Sequence, residues 1–443
     1  VIKGGQFYSL QVSGEGRNVR QLLADGYAYW SLNKTGYWST IAEREKQDIA
    51  NVEVKEAPIK SASIAWVGEE APVIYRNGEK YLYVDITYEL AVGSRGATYS
   101  DFVNGNNRIK DYNLYNKYMV HCYEIGKLAA KDGEVEYYIV LKCNGYEYKS
   151  NVLKLTLATC SHPEDSFSYE NDGFVICGIC DALIEAEVVD ADGKSLGYAD
   201  IESAIKLAQE NEGSTVKLMS EGVSESITVT GGRFTVDFNG KKVFYQFDVN
   251  GGDVTFTSSV KQADVETLIS GITVNGTDAK VTIDGKIKLG SVTLTSGALA
   301  VNSTDGYIKE LSINGGATVI NGANIDALKT YGGDTVINDV NADSLTMCDN
   351  RSGGSEYNIS IVSGMFGSFT CENGSNYTLG RAIASGSVVS ADSMNGITVY
   401  TYEAIQTMTS TYRIFVDKCN HKDKNGSYVL DGNPCPYCHE EIV

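Results

Sequence analysis

Three residue types are scarce in the 443-residue sequence: proline (5), histidine (4) and tryptophan (3). Positive charge is short too, with 37 Lys and Arg against 57 Asp and Glu, a formal net charge of −20. A phosphate-binding surface needs a concentrated excess of Lys and Arg, so neither nucleic acid nor an anionic membrane is an expected partner. No run of about 18 apolar residues occurs, so no segment is expected to enter a membrane. What is plentiful is Gly (46) and Tyr (29), which suits twisted sheets joined by tight turns. The expected class is all-β, with more than one core at this length. The opening Val1-Ile2-Lys3-Gly4-Gly5-Gln6-Phe7 reads as the interior of a fold, so the chain is expected to be a piece of a longer protein.

Residues 185–416 repeat one theme: a short β-branched run, then Asn-Gly, Asp-Gly or Gly-Gly, as at Asn239-Gly240, Asn275-Gly276, Asp284-Gly285, Asn314-Gly315 and Asn321-Gly322. Runs about 7 to 12 residues apart fit either hairpins or the corners of a coiled solenoid. Their brevity, and the flanking Gly and Asn that take left-handed corner conformations, favour a right-handed parallel β-helix. A helix is expected at 200–211, with Asp200 as N-cap and Ile201, Ala204, Ile205 and Ala208 on one stripe, suited to closing a solenoid end. Cys348 and Cys371 lie in this region as either a disulfide or two small buried hydrophobes.

Residues 53–158 have longer alternating strands, near 80–88, 117–125, 135–142 and 146–157, and read as an immunoglobulin-like sandwich. Asp132-Gly133 signals a hairpin; a two-residue turn there would set Cys122 opposite Cys143, either bridged or as two buried thiols. Residues 1–52 echo the end of the solenoid: Gly4-Gly5-Gln6-Phe7 matches Ser363-Gly364-Met365-Phe366, and Leu22-Leu23-Ala24-Asp25-Gly26 matches Ala382-Ile383-Ala384-Ser385-Gly386. They are expected to be the last turn of a preceding β-helix.

One pattern occurs twice, in segments 159–184 and 417–443. Cys160-Ser161-His162 precedes Cys177-Gly178-Ile179-Cys180, and Cys419-Asn420-His421 precedes Cys435-Pro436-Tyr437-Cys438. Three thiolates and one imidazole are the ligand set of a closed structural Zn2+ site, and disulfides would leave one thiol over in each copy. His439 competes with His421, but Asp181 holds the equivalent place in the first copy, which favours His421. Two structural zinc ions are therefore expected, with no coordination position left for a substrate.

Solenoids of this kind often cleave polysaccharides, which takes paired carboxylates and often a His or basic helpers. The four His stand at 121, 162, 421 and 439, outside the solenoid strands, and Asp237, Asp253, Asp284, Asp334, Asp339 and Asp343 sit mostly beside turn residues. No catalysis is expected. The stretch 102–115 is too irregular for a strand, yet it keeps Phe102, Arg108, Tyr112 and Tyr115 in an Asn/Gly framework. That is the composition of a binding loop, or of a long loop whose aromatics fold back on the sandwich.

The passages Tyr138-Ile139-Val140-Leu141-Lys142-Cys143-Asn144-Gly145 and Leu155-Thr156-Leu157 resemble the last hairpin of bacterial Ig-like domains. Gly197-Tyr198-Ala199-Asp200-Ile201, followed by Val236-Asp237-Phe238-Asn239-Gly240-Lys241, is similar to the start of β-helix regions in large surface or secreted proteins of Gram-positive gut bacteria, and the Cys-x-His to Cys-x2-Cys segments resemble their small linkers. The resemblance implies an extracellular modular protein of the adhesin type, or of the superantigen type that binds antibody. A host protein or glycoprotein is then the expected partner, with immunoglobulin the leading candidate. The competing expectations are a polysaccharide lyase or hydrolase on the solenoid face, and a passive stalk.

Overall fold

The computed structural model describes residues 2–7, 24–31, 52–68, 70–92, 94, 96–143, 145–221, 224–260, 270–348, 357–372, 377–393, 396–422 and 434–440. The protein is all-β, 57% strand against 8% helix, and contains a β-solenoid of about seven turns. It divides into two compact units, Val1–Ser161 with Cys177–Ala182, and His162–Ile176 with Leu183–Val443.

The first unit opens with β1 (Gly5–Phe7), β2 (Tyr27–Ser31) and β3 (Val52–Glu56), antiparallel in the order β1-β3-β2. A two-sheet sandwich comes next. One sheet holds β4 (Ile59–Trp66), β6 (Tyr81–Leu90) and β9 (Lys117–His121), in the order β4-β6-β9. The other runs from β5 (Val73–Tyr75) through β12 (Leu153–Ala158), β10 (Gly133–Cys143) and β7 (Thr98–Val103) to β8 (Asn106–Asn113), with β11 (Tyr146–Lys149) also on β10. Alternation does the sorting: on β10, Val135, Tyr137, Ile139, Leu141 and Cys143 are buried and meet Val84, Ile86 and Val120 from the first sheet in one core.

Three local expectations are corrected here. The expected strand at 117–125 stops at His121, and α1 (Cys122–Leu128) takes over. Asp132-Gly133 therefore joins a helix to a strand rather than closing a hairpin, so the turn that would set Cys122 opposite Cys143 does not exist; both cysteines lie in the sandwich core. Burial pushes the Cys122 thiol up to about 12. Finally, the stretch 102–115 is not an irregular loop. Asn104 (φ +48°) and Gly105 (φ +82°) form the two-residue turn of a hairpin that pairs Val103 with Asn106 and Phe102 with Asn107.

The second unit is the solenoid. One parallel ladder links Ser214–Leu218, Arg233–Asp237, Asp253–Thr257 and Lys280–Asp284, then the leading parts of Ala298–Ile313, Ala317–Thr330 and Gly333–Met347, and last Tyr357–Ile361. A second ladder links Ser226–Val229, Gln246–Val249, Gly271–Val274 and Lys288–Leu294 to the trailing parts of those three long strands and to Gly364–Cys371. In-register burial holds the stack: Val216, Val236, Phe256, Ile283, Val301, Ile320 and Ile337 form one inward column, each worth about 1.5–3 kcal/mol of apolar burial. Corners use the expected chemistry, as at Asn239 (φ +49°) with Gly240 (φ +74°), where Asp237 accepts the N–H groups of Asn239 and Ser259. At the start, α2 (Ile201–Glu210) is capped by the Asp200 carboxylate, which accepts the Ser203 N–H at 2.8 Å. It sets Ile201, Ala204, Ile205 and Ala208 into the solenoid core.

The solenoid ends on three antiparallel strands, Gly364–Cys371, Ser410–Lys418 and Ser387–Ser393, in that spatial order. The β1-β3-β2 sheet repeats this arrangement bond for bond. Ala24 N–H donates to Ile2 O at 3.0 Å, as Ala384 N–H does to Ile361 O at 2.9 Å; Tyr27 donates to Ala24 O and Ser387 to Ala384 O, both at 3.1 Å. Gly26 (φ +80°) and Gly386 (φ +77°) hold the same turn, and their carbonyls accept from Ala57 at 2.9 Å and Cys419 at 2.7 Å. Of the matched sequence, Leu22 and Leu23 lie outside the described residues.

Candidate metal centres

Each Cys-x2-Cys turn is built by its own backbone. Cys435 N–H donates to Glu440 O at 2.9 Å and His439 N–H to Cys435 O at 2.8 Å; in the first copy Cys177 N–H donates to Ala182 O at 3.0 Å and Asp181 N–H to Cys177 O at 2.8 Å. His439 and Asp181 both stand at φ +61°, so the residue after the second cysteine takes a left-handed turn in each. His162 (φ +47°) and His421 (φ +54°) do likewise on the other arm.

The result is two clusters, Cys160, His162, Cys177 and Cys180, and Cys419, His421, Cys435 and Cys438; in each, one ligand atom per residue lies within 4.8 Å of all the others. Sulfur separations are 3.8 Å for Cys160–Cys177 and 3.6 Å for Cys419–Cys435. Two thiolates bound at ~2.3 Å to one tetrahedral ion stand ~3.8 Å apart, whereas a disulfide would need ~2.05 Å. The donor sets thus fit a metal ion and do not match cystine bridges. His421 turns Nδ1 to 3.7 Å from Cys438 Sγ. His439 instead lays its ring on Tyr402, centroids 4.7 Å apart, and is not part of the cluster.

A cation must compete with protons at most of these thiols. Burial pushes Cys419 up to about 12 and raises Cys438 and Cys180 as well. Burial also opposes ionisation of Cys435, but hydrogen bonds from the backbone of Cys438 and Tyr437 together with those from the Cys419 and His421 side chains outweigh it and bring that thiol down to about 7. A bound metal would displace the thiol protons, and four ligands would fill a tetrahedral shell.

The supports around each cluster come from distant sequence, and spacing gave no sign of them. Asn77 clamps the Cys160 backbone from both sides, accepting its N–H at 2.8 Å and donating to its carbonyl at 2.9 Å. Glu79 N–H donates to Cys180 O at 3.0 Å, and the chain comes so close at Gly78 that a Cβ there would stand 2.7 Å from the same oxygen. At the second cluster, Tyr402 N–H donates to Pro436 O at 3.0 Å, and the Glu440 carboxylate sits 3.7 Å from His421 Nε2 while accepting from Ser385 Oγ at 3.2 Å. That separation is beyond a hydrogen bond, so the carboxylate neighbours the imidazole without fixing its tautomer.

The aromatic stretch expected to bind lies elsewhere. Arg108 is not available to a ligand: its side chain is 6% exposed and pairs with Asp101 at 2.6 Å and with Glu124. Asp101, wholly buried, also accepts from Tyr137 Oη and from the Ile109 N–H, so this arginine completes an internal network. Phe102 stacks on Tyr138 with centroids 5.1 Å apart. Tyr112 and Tyr115 are half exposed, their rings 6.0 Å apart.

No family model matches the chain, and no curated protein matches it. Among solved structures it is similar to one described as "Structures of Clostridium thermocellum CbhA fibronectin(III)-like modules", at 12% identity and a TM-score of 0.17, over 25% of this chain. The chain spans 55% of that structure's length.

Proposed function

We propose that the chain is a non-catalytic binding protein, displayed on or secreted from a bacterial cell, in which a solenoid and an Ig-like sandwich are each braced by a structural zinc ion and the sandwich engages a host macromolecule. Immunoglobulin is the leading partner, carried over from the resemblance of the sequence. Zinc is favoured for the clusters because three thiols and an imidazole at these separations match its ligands and bond lengths.

The observation that carries the binding reading is the half-exposed pair Tyr112 and Tyr115, rigid amphipathic rings of the kind that anchor protein interfaces. The middle outward column of the first solenoid ladder, Thr215, Thr235, Thr255, Thr282, Ala300, Val319, Val336 and Ser360, holds no carboxylate and no ring. The exposed Asp253, Asp284 and Asp334 beside it pair in register with Arg233 and Lys280, with Asn302, and with Ala317 and Asn358 rather than with a second carboxylate, which favours a scaffold over a hydrolase. A depression of about 380 Å³ on the second ladder, lined by Gln246, Ser270, Gly271, Gly290, Ser291, Lys309 and Glu310, offers a single carboxylate, and Lys329 already holds it at 3.0 Å.

Capture from human serum and mucosal secretions by the immobilised chain, read by mass spectrometry, tests this reading. Recovery of immunoglobulin or a mucosal glycoprotein, lost in the double variant Tyr112→Ala with Tyr115→Ala, is expected. Recovery of nothing would favour a passive stalk, and polysaccharide depolymerisation by the chain would overturn the non-catalytic reading.

A further inference from the structure

The outward side of the β4-β6-β9 sheet carries a feature that neither the Cys/His clusters nor the pair Tyr112 and Tyr115 use. Along β6, Val84 and Ile86 turn to the core while Tyr81, Tyr83 and Asp85 turn out. Tyr81 and Tyr83 are 48% and 46% exposed. Lys117, opposite Asp85 on β9, sets its ammonium 5.0 Å from the centre of the Tyr83 ring. β9 begins at Lys117, but β6 runs on to Leu90, so past the Asp85–Lys117 pair no strand among the described residues pairs with that side of β6. Ile86 N–H donates to Asn116 O at 2.7 Å across the last covered position. Beyond it lies an open depression of about 620 Å³ lined by Asp85, Ile86, Thr87, Tyr88, Asn116 and Lys117. That volume falls within the ~300–1,000 Å³ of small-molecule sites.

We propose that this depression and the adjoining Tyr83 ring form a binding site for an uncharged glycan. A sugar ring has an apolar C–H face and a rim of hydroxyls. Tyr83, half exposed on the same outward face of β6 as Asp85 and with the Lys117 ammonium over its ring, supplies apolar surface next to the depression, and Asp85, Thr87 and Asn116 in its lining supply the acceptors and donors that pair with hydroxyls. The charge argues for a neutral ligand: one carboxylate and one ammonium cancel within the site, in a chain of net charge −20. An acidic sugar would meet Asp85 with no surplus cation to offset it. An extended peptide fits less well, because the part of β6 past the Asp85–Lys117 pair ends at Leu90 and offers too few backbone groups for a paired strand.

This site is separate from Tyr112 and Tyr115, and its test does not need a host protein. The whole chain is applied to an array of neutral oligosaccharides (glucose, galactose and mannose oligomers and N-acetyllactosamine) with sialylated counterparts, and the best binder is titrated by calorimetry. At least one neutral oligosaccharide is expected to bind. Tyr83→Ala and Asp85→Asn should each weaken it about tenfold or more, Tyr83→Phe should retain it, and Tyr169→Ala, which removes an exposed ring elsewhere, should leave it unchanged. All these positions are at the surface, and unchanged melting curves would show that the variants fold. No neutral binder, a preference for the sialylated forms, or indifference to the Tyr83 and Asp85 variants would each overturn the proposal. Loss of immunoglobulin capture alone would overturn only the host-protein reading.

Discussion

The two Cys/His clusters share a backbone but differ in their surroundings. In the first, all four ligands are buried, and Asn77, Gly78 and Glu79 press on Cys160 and Cys180 from a turn some 80–100 residues upstream. In the second, Cys419 and His421 are partly exposed, and the supports among the described residues include the Glu440 carboxylate beside His421, the Tyr402 N–H on Pro436 and the Gly386 carbonyl that accepts the Cys419 N–H. The ligand set is thus a short-range property of the chain, written in the Cys-x-His and Cys-x2-Cys spacing. How firmly an ion is retained depends on what the rest of the fold lays against the site.

The comparison breaks most completely if the ligands themselves are removed. Native mass spectrometry should count two zinc ions per chain, one after either Cys177→Ser or Cys435→Ser and none after both; structural zinc contributes ~10–16 kcal/mol in small domains, so each change should also unfold its own segment. Gly78→Ala is expected to act on the first cluster alone, costing up to about 3 kcal/mol as the new methyl meets the Cys180 carbonyl; a chemical denaturation curve measures it. Glu440→Gln should spare the first cluster and weaken the second only about twofold in a chelator competition, because the carboxylate makes no hydrogen bond to His421, and in the unmutated protein the chelator should strip the partly exposed second cluster first. The smallest effect concerns Glu185, a buried carboxyl that accepts the Ile201 N–H at 2.7 Å and the Tyr245 hydroxyl at 3.2 Å. Burial raises it above 4.5, so its contribution is complete below that pH and is lost as pH rises through its folded value. Solenoid stability should therefore fall on going from acid toward neutral pH, and Glu185→Gln should flatten that slope. Glu225, raised in the same sense by burial, leaves a residue of it.

The two Cys/His clusters were legible because cysteine spacing is local, and the solenoid because Asn-Gly corners are local too. Asp200 and the stripe behind it announced α2 for the same reason. The stretch 102–115 was misread although it contains Asn104-Gly105, a strong hairpin signal. Its second strand, β8, is an edge strand polar on both sides, so it has no period-2 pattern to find. The burial of Arg108 depends on Asp101 across that turn, and the fate of Cys122 on a seven-residue helix, neither of which spacing reveals. The outward tyrosines of β6 did carry a signal, the odd-numbered Tyr81 and Tyr83 against the even-numbered Val84 and Ile86.

The closing coil that appears twice has a further consequence. Its final bond, from Ala57 or Cys419 to the glycine carbonyl, uses only backbone atoms, so the coil accepts either residue as the place where the next part of the chain begins. In one copy a sandwich strand comes next and in the other a Cys/His cluster. Any residue except proline can donate that bond, so the segment that follows can differ while the hydrogen bonds of the coil stay intact.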